Sequence, residues 1–470
     1  MTTLDQLPAQ VLTEEIKKLR EEIERKTGKT PEALYAEREK RVRDAIELRQ
    51  PDRVPVSMAG GYFAARYAGL TASVAYYDAP AYREALKKAT LDFEPDTALM
   101  GVASGGAGRA LEILDAKQTR WPGGTLPADV GHQFIEGEYM HEDEYDLFLM
   151  DPTDFTLRYY LPRVYGALEP LAHLPPLMSG AGSAMTALVE VFTLPAFRRV
   201  AAALLKAGEE QAKWRQQMAG FPEEMAALGF PSGSGFGGGI FSGNLQASAG
   251  QIMDGLSPVG FGRALGGAPF DAVSDFYRGM RGSMLDMYRR PEKLLAACDK
   301  VLELRLARAA PLPAELRDKP RRVGMPLHRG AQGFMSREQF ETFYWPGLKQ
   351  VILSTIEMGF IAAPFFEGHF DDRLEYLLEI PKGKMICRFE HTDMARAKAV
   401  LGGHFCIEGN VPSSLLQVGS PTEVEEYCKK LIEVCGKGGG FILSHGSSID
   451  EAKPANVKAM LDSAKKYGWS

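Results

Sequence analysis

The sequence predicts an α/β protein, a (β/α)8 TIM barrel with an N-terminal helical extension and a glycine-rich insertion. After Pro51, short apolar runs that end in Gly, polar or charged residues alternate with amphipathic stretches. Eight such runs are present, enough to close a barrel. The chain has 470 residues, 45% hydrophobic and 25% charged, which suits one large domain with additions rather than disorder or a coiled coil.

The expected strands are Val54–Met58, Thr97–Gly101, Pro176–Gly180, Val323–His328, Phe360–Glu367, Lys384–Glu390, His404–Glu408 and Gly440–His445. Those from Val323 onward are each followed by a helix-like segment: Ser336–Met358, Asp371–Ile380, Thr392–Leu401, Pro421–Cys435 and Pro454–Tyr467. Strand then helix at that spacing implies parallel strands with helices outside. Residues 1–50 form a separate extension, in which Leu12 to Leu48 is rich in Glu, Lys and Arg and broken by the Gly28 to Pro31 turn signal. This predicts two exposed helices, an arm or cover, whose charges form a solvated face with i,i+4 pairs. Residues 51–470 make the barrel, with a Gly- and Met-rich insertion at about 218–290 that includes GSGFGGGIFSGN at 232–244. The insertion lacks a G-x-x-x-x-G-K-[ST] loop and a strand, G-x-G-x-x-G, helix context, so it reads as a mobile lid or oligomer contact rather than a phosphate cradle.

A net charge of -6 with scattered Lys and Arg leaves no basic field for nucleic acid. The chain lacks an apolar run of about 18 residues, and its first residues lack a signal-peptide pattern, so a cytoplasmic location is expected. Five cysteines without a C-x-x-C pair are read as reduced thiols. Cys406 opens its strand and is expected to be structural, while Cys428 and Cys435 share a helix face as packing residues.

Side chains at the C-terminal ends of barrel strands face the site. His328 ends the fourth expected strand, Glu367 and His369 the fifth, Glu390 and His391 the sixth, Glu408 and Asn410 the seventh, and His445 the eighth. His328, Glu390 and His369 are the catalytic candidates, as general acids or bases, although strand ends also carry loop-capping carboxylates and histidines. Tyr62, Phe334 and Asn410 are the candidates for substrate contact; the aromatics near Phe334 could instead pack under the barrel. The stretch from Pro269 to Arg289, an aromatic and methionine stripe alternating with arginines, reads as core rather than pocket.

The tail from Gly409-Asn410-Val411-Pro412 through Gly419-Ser420-Pro421-Thr422-Glu423-Val424, Gly439-Gly440-Phe441-Ile442-Leu443 and Pro454-Ala455-Asn456 to Tyr467-Gly468 resembles the uroporphyrinogen decarboxylase superfamily. So does Pro51-Asp52-Arg53-Val54-Pro55-Val56; the resemblance covers about residues 40 to 470 and is strongest after 320. It implies a (β/α)8 barrel and one of two chemistries, metal-free porphyrinogen decarboxylation or cobalamin-dependent methyl transfer, generally with zinc. The decarboxylases carry an R-Q-A-G-R loop after the first strand, where this chain reads Ser57-Met58-Ala59-Gly60-Gly61-Tyr62-Phe63. The thiol-activating methyltransferases carry H-x-C and a later Cys, where this chain has Phe365 and Glu367, then Ser444-His445-Gly446-Ser447.

The resemblance is therefore closer to the methyltransferase branch. It implies methyl transfer between a methylated small molecule, such as an aryl methyl ether, and a corrinoid protein. Zinc would sit on Glu367 and His445, completed by His328, His369 or Glu390, and act as a Lewis acid. No D-x-H-x-x-G sequence is present, so the corrinoid is expected on a partner protein docked over the barrel mouth, with the N-terminal helices or the glycine-rich loop as part of that surface. The alternative is a metal-free decarboxylase or other lyase. Relatives often form homodimers, which extends the expectation to this chain.

Overall fold

The computed structural model describes residues 13–99, 101, 106–174, 181–231, 235–236, 265–307 and 322–468. Its centre is a parallel sheet of β1 (Gly235–Phe236), β2 (Arg322–Leu327), β3 (Ile361–Phe366), β4 (Ile386–Phe389), β5 (Cys406–Val411) and β6 (Phe441–His445), hydrogen-bonded in chain order. Two short extended segments close this sheet into a ring. Ser57 N donates to Leu443 O (3.0 Å) and Leu443 N to Pro55 O (2.9 Å), which joins β6 to residues 54–57. Asp96 N then donates to Val56 O (2.9 Å) and Ala98 N to Pro231 O (2.8 Å), leading back to β1. Six strands and two segments make the eight staves of a (β/α)8 barrel.

The five staves expected after Val323 are all present, with ends shifted by up to three residues. Their helices follow: Trp345–Glu357, the short Leu374–Leu377, Met394–Leu401, Pro421–Cys435 and Pro454–Tyr467. Pro421–Cys435 begins where Ser420 and Glu423 form a reciprocal capping box, with Pro at the first helical position. The expected third strand, Pro176–Gly180, lies outside the described residues. The stave beside β2 is instead Gly235–Phe236, from the segment read as loop, and Gly235 and Phe236 pair with Val323 and Gly324. Glycines conceal a strand from apolar periodicity because they add no side chain to either face. Residues 232–234 and 237–264 of the insertion fall outside the described residues.

The N-terminal helices are α1 (Glu14–Thr27) and α2 (Pro31–Ile46), capped by Thr13 and Thr30 and separated by Gly28 at φ 69°. They do not reach the barrel mouth. Val42, Ala45 and Ile46 of α2 pack against Ala363, Ile386, Cys406 and Ile442, near the strand starts, and so plug the opposite end. The expectation that these helices help dock a partner over the mouth is corrected by this apolar contact. Their charges are not all solvated either. Arg41 is buried and donates to Asp52 (2.6 and 2.7 Å) and Asp96 (2.6 Å).

Asp96 is fully buried and also accepts from both Arg53 terminal nitrogens (2.8 Å each) and from Val56 N (2.8 Å). Arg53 of the Pro51–Val56 motif thus ties the first stave to the second and to α2. Removing the carboxylate leaves buried Arg53 without its counter-charge and Arg41 with Asp52 alone, which costs about 3–5 kcal/mol. Asp96→Ala is expected to lower the unfolding free energy by about that amount in a denaturant titration, whereas exposed Lys17→Ala stays within about 0.5 kcal/mol of the parent.

Candidate active site at the barrel mouth

Strand side chains alternate between two faces, and the α2 contact identifies the inward one. Ala363, Ile386, Cys406 and Ile442 face inward at the plugged end. Two residues further along each strand come Phe365, Arg388, Glu408 and Ser444, and two beyond those Glu367, Glu390 and Asn410. Outward-facing Leu327, Phe366, Phe389, Ile407 and Leu443 join the main core under the helices. Cys406 therefore belongs to the apolar plug, and burial pushes its thiol far above the ordinary range.

In the middle layer Ser57 Oγ donates to Glu408 Oε1 (2.7 Å) and lies 3.1 Å from Ser444 Oγ. The Arg388 guanidinium stacks 4.9 Å from the centre of the Phe365 ring. In the top layer His328, directly after β2, is held from both sides. Its Nδ1 lies 2.6 Å from Asp275 Oδ2 and its Nε2 3.7 Å from Glu367 Oε1. Asp271 accepts the backbone N–H groups of His328 and Arg329 (3.0 Å each) and the Tyr344 hydroxyl (2.7 Å). Arg329 pairs with Asp275 (3.2 Å) and with Glu136.

This geometry holds protons near neutrality. Burial pushes the Glu367 carboxyl up to about 7; the field of His328 opposes that, while Glu390, Asp271 and Asp275 reinforce it. Burial opposes the His328 imidazolium, but the Asp275 hydrogen bond and the charges of Asp271, Asp275 and Glu367 outweigh it and raise its pKa to about 9. Burial, reinforced by Asp275, raises Asp271 to about 6. The site thus pairs a cationic imidazole with a carboxyl that ionises well above its ordinary range.

Other expected site residues have different settings. Glu390 borders Glu367 electrostatically and accepts from Gly368 N (2.8 Å). His369 is 60% exposed, with Asp371 at 3.6 Å and the His391 ring at 5.6 Å as its partners rather than His328 or Glu367. Tyr62 is buried, its hydroxyl 3.0 Å from that of Tyr76 and 3.1 Å from His132 Nδ1, which suits packing rather than substrate contact. Phe334 is partly exposed beneath Arg329 (5.5 Å), the residue that follows His328 in the chain. Asn410 donates to Thr392 O (2.8 Å), its Oδ1 lacks a partner among the described residues, and with Glu390 and Tyr427 it lines a cavity of about 340 Å³.

His445 does not join Glu367. Its Nε2 accepts from Ala59 N (2.8 Å) and its Nδ1 donates to Ser447 O, so both ring nitrogens are engaged. Burial, with the Arg388 charge adding to it, depresses its pKa to about 3. Among the described residues no group of three or more His, Cys, Asp and Glu is arranged to hold a metal. The expected zinc site on Glu367 and His445 therefore does not fit these side chains, because the one imidazole nitrogen able to accept already accepts a backbone N–H.

Asp271, Asp275 and Arg388 escaped the sequence reading. The available signal was the i,i+4 spacing of two carboxylates in the otherwise apolar Pro269–Tyr277 stretch, a spacing that places both on one helical face. Arg388 sits mid-strand, where no strand-end rule points.

Residues 263–467 match the family model "Uroporphyrinogen decarboxylase (URO-D)". That segment is similar to the uroporphyrinogen decarboxylase family. It includes the helical turn bearing Asp271 and Asp275 and all staves from β2 to β6. A uroporphyrinogen decarboxylase of Idiomarina loihiensis is 30% identical over 77 residues, which cover 16% of this chain and 21% of that protein. The chain thus spans about a fifth of this curated relative. A solved methyltransferase from Methanosarcina mazei superposes with a TM-score of 0.49 at 13% identity, covering 92% of this chain and 98% of the other. No helix among the described residues is long and apolar enough to cross a membrane.

The pKa values set two expected outcomes. His328 has a folded pKa above its ordinary 6.5, so its stabilisation is complete below about pH 6.5 and is lost as pH rises through about 9. Asp275→Asn should lower the His328 midpoint in an NMR titration and narrow the stability gap to the parent protein between those pH values. Since the donor set does not fit zinc, dialysis against a chelator should leave the melting temperature unchanged, with metal content by emission spectroscopy well below stoichiometric.

Proposed function

We propose that this URO-D-family chain is a methyltransferase that moves a methyl group from oxygen or nitrogen of a small molecule, such as an aryl methyl ether, to the corrinoid of a partner protein. The observation that carries the reading is the His328 and Glu367 pair at the mouth, 3.7 Å apart and both able to hold a proton near pH 7. A departing alkoxide, phenoxide or amine is a poor leaving group unless it is protonated or bound to a Lewis acid. Here the acid takes the place of the metal.

In this mechanism Asp275 orients His328, and the imidazolium field keeps Glu367 poised to give up its proton. As the carbon–oxygen or carbon–nitrogen bond breaks, the heteroatom keeps the bonding pair and takes the Glu367 proton, while the methyl group leaves as a formal cation. The reduced corrinoid, when docked, supplies the electron pair that receives the methyl. Phe334 and Arg329 beside His328 cover one flank of the substrate.

The decarboxylase alternative has less support. The stretch after the first stave carries no arginine up to Tyr67 except Arg66, which pairs with Asp129 (3.2 Å) and Glu451 (3.3 Å). A porphyrinogen with several carboxylates therefore lacks its anchors in that loop.

The test is a panel of O- and N-methylated small molecules with chemically reduced cobalamin as acceptor, followed by the methylcobalamin absorbance. Turnover is expected for at least one donor class and should fall as pH rises through about 7, where Glu367 loses its proton. Glu367→Gln and His328→Gln should each lower kcat by about 10²–10⁴-fold. Release of carbon dioxide from a carboxylated porphyrinogen without corrinoid would instead establish the decarboxylase reading.

A further inference from the structure

Arg388 is the one cation that the inward face of β4 places in the middle layer of the barrel, and the mechanism above does not use it. It forms no salt bridge among the described residues. Its Nη2 donates to the carbonyl of His445 (3.4 Å) and lies 3.2 Å from Nδ1, itself a donor, its Nε has no partner, and no hydrogen bond from Nη1 to the described residues is present. Glu408 and Glu390 act on it through their fields alone, and Glu408 is already engaged by Ser57. Arg388 as a whole is partly buried, but its Nε is shut off from water, and a guanidinium so placed without a paired anion is costly.

The surroundings define the missing anion. Phe365 supplies a flat apolar face under the guanidinium, and the side chain reaches toward His445 at the strand ends. Glu367 is two residues beyond Phe365 on β3, and Glu390 two beyond Arg388 on β4. A dianion such as a phosphate ester would meet these carboxylates with a single cation to offset it. A planar monoanion on an apolar body meets one guanidinium edge and one aromatic face.

We propose that Arg388 binds a carboxylate of the substrate inside the barrel, so that the molecule presented to His328 and Glu367 is a methylated monocarboxylate. The methyl-donor part of this statement rests on the proposed function; the carboxylate site does not.

The experiment uses benzoate and its neutral isostere benzamide as probes, titrated calorimetrically into the full-length protein without corrinoid. Benzoate is expected to bind at least about tenfold more tightly than benzamide, the scale of a charge-assisted hydrogen bond. Arg388→Gln should abolish that preference and leave benzamide binding unchanged, while Arg388→Lys, which keeps the charge but not the planar fork, should retain part of it. Circular dichroism and melting temperature establish that each variant is folded, and if Arg388→Gln is not, the Arg388→Lys titration decides. Absence of benzoate binding, equal binding of the two probes, or a preference unaltered by substitution of Arg388 would overturn the proposal. Because no turnover enters, such a result leaves methyl transfer standing, and a failed methyl-transfer assay leaves the carboxylate site standing.

Discussion

Neighbouring side chains on a strand point to opposite faces, and a parallel sheet closed on itself turns that alternation into an inside and an outside. Everything particular to this protein follows from how the inside is filled. At the plugged end, Ala363, Ile386, Cys406 and Ile442 meet Val42, Ala45 and Ile46 from α2, an apolar seal that keeps water out from below. Above it the same faces carry Arg388, Glu408 and Ser444, then Glu367, Glu390 and Asn410. Polar groups that would be costly in a closed core are tolerated because the upper end opens to the mouth.

The upper layer is an electrostatic device built from excess negative charge. The Asp275 hydrogen bond and the fields of Asp271, Asp275 and Glu367 keep His328 cationic despite its burial. Burial first, with the charges of Glu390, Asp271 and Asp275 adding to it, makes it costly for Glu367 to ionise and raises its pKa to about 7. Both groups are shifted upward, Glu367 to about 7 and His328 to about 9, and holding protons near neutrality in this way is what acid catalysis requires. A zinc ion would need the same groups deprotonated and turned toward one point. Instead His445 spends its accepting nitrogen on the Ala59 amide and stiffens the junction between the last stave and the first.

The Asp96 cluster does at the plugged end what side-chain packing cannot. It joins α2, the 54–57 segment and the second stave through one carboxylate and two guanidinium groups. This explains why residues ahead of the barrel matter to it. α2 is the plug of the ring rather than an arm laid across its mouth.

The last five staves and most of their helices were legible because the strands begin on apolar residues and the longer helices carry capping or proline signals, as at Ser420-Pro421 and Lys453-Pro454. His328, Glu367 and Glu390 were legible as site candidates because a rule tied to strand ends applies to any barrel. The β1 stave was not, because Gly235 and its glycine neighbours erase the alternation that marks a strand. Nor were Asp271 and Asp275, which belong to a helical turn more than 50 residues ahead of the histidine they serve. The sequence by itself determined the fold class and which strand ends would carry acid and base groups, since both depend on local periodicity. Only the tertiary structure decided which groups share a field and which are already satisfied. A pKa or a lone pair's availability depends on what lies within a few ångströms in space, and His445 and Glu367 differ there although their places in the pattern are alike.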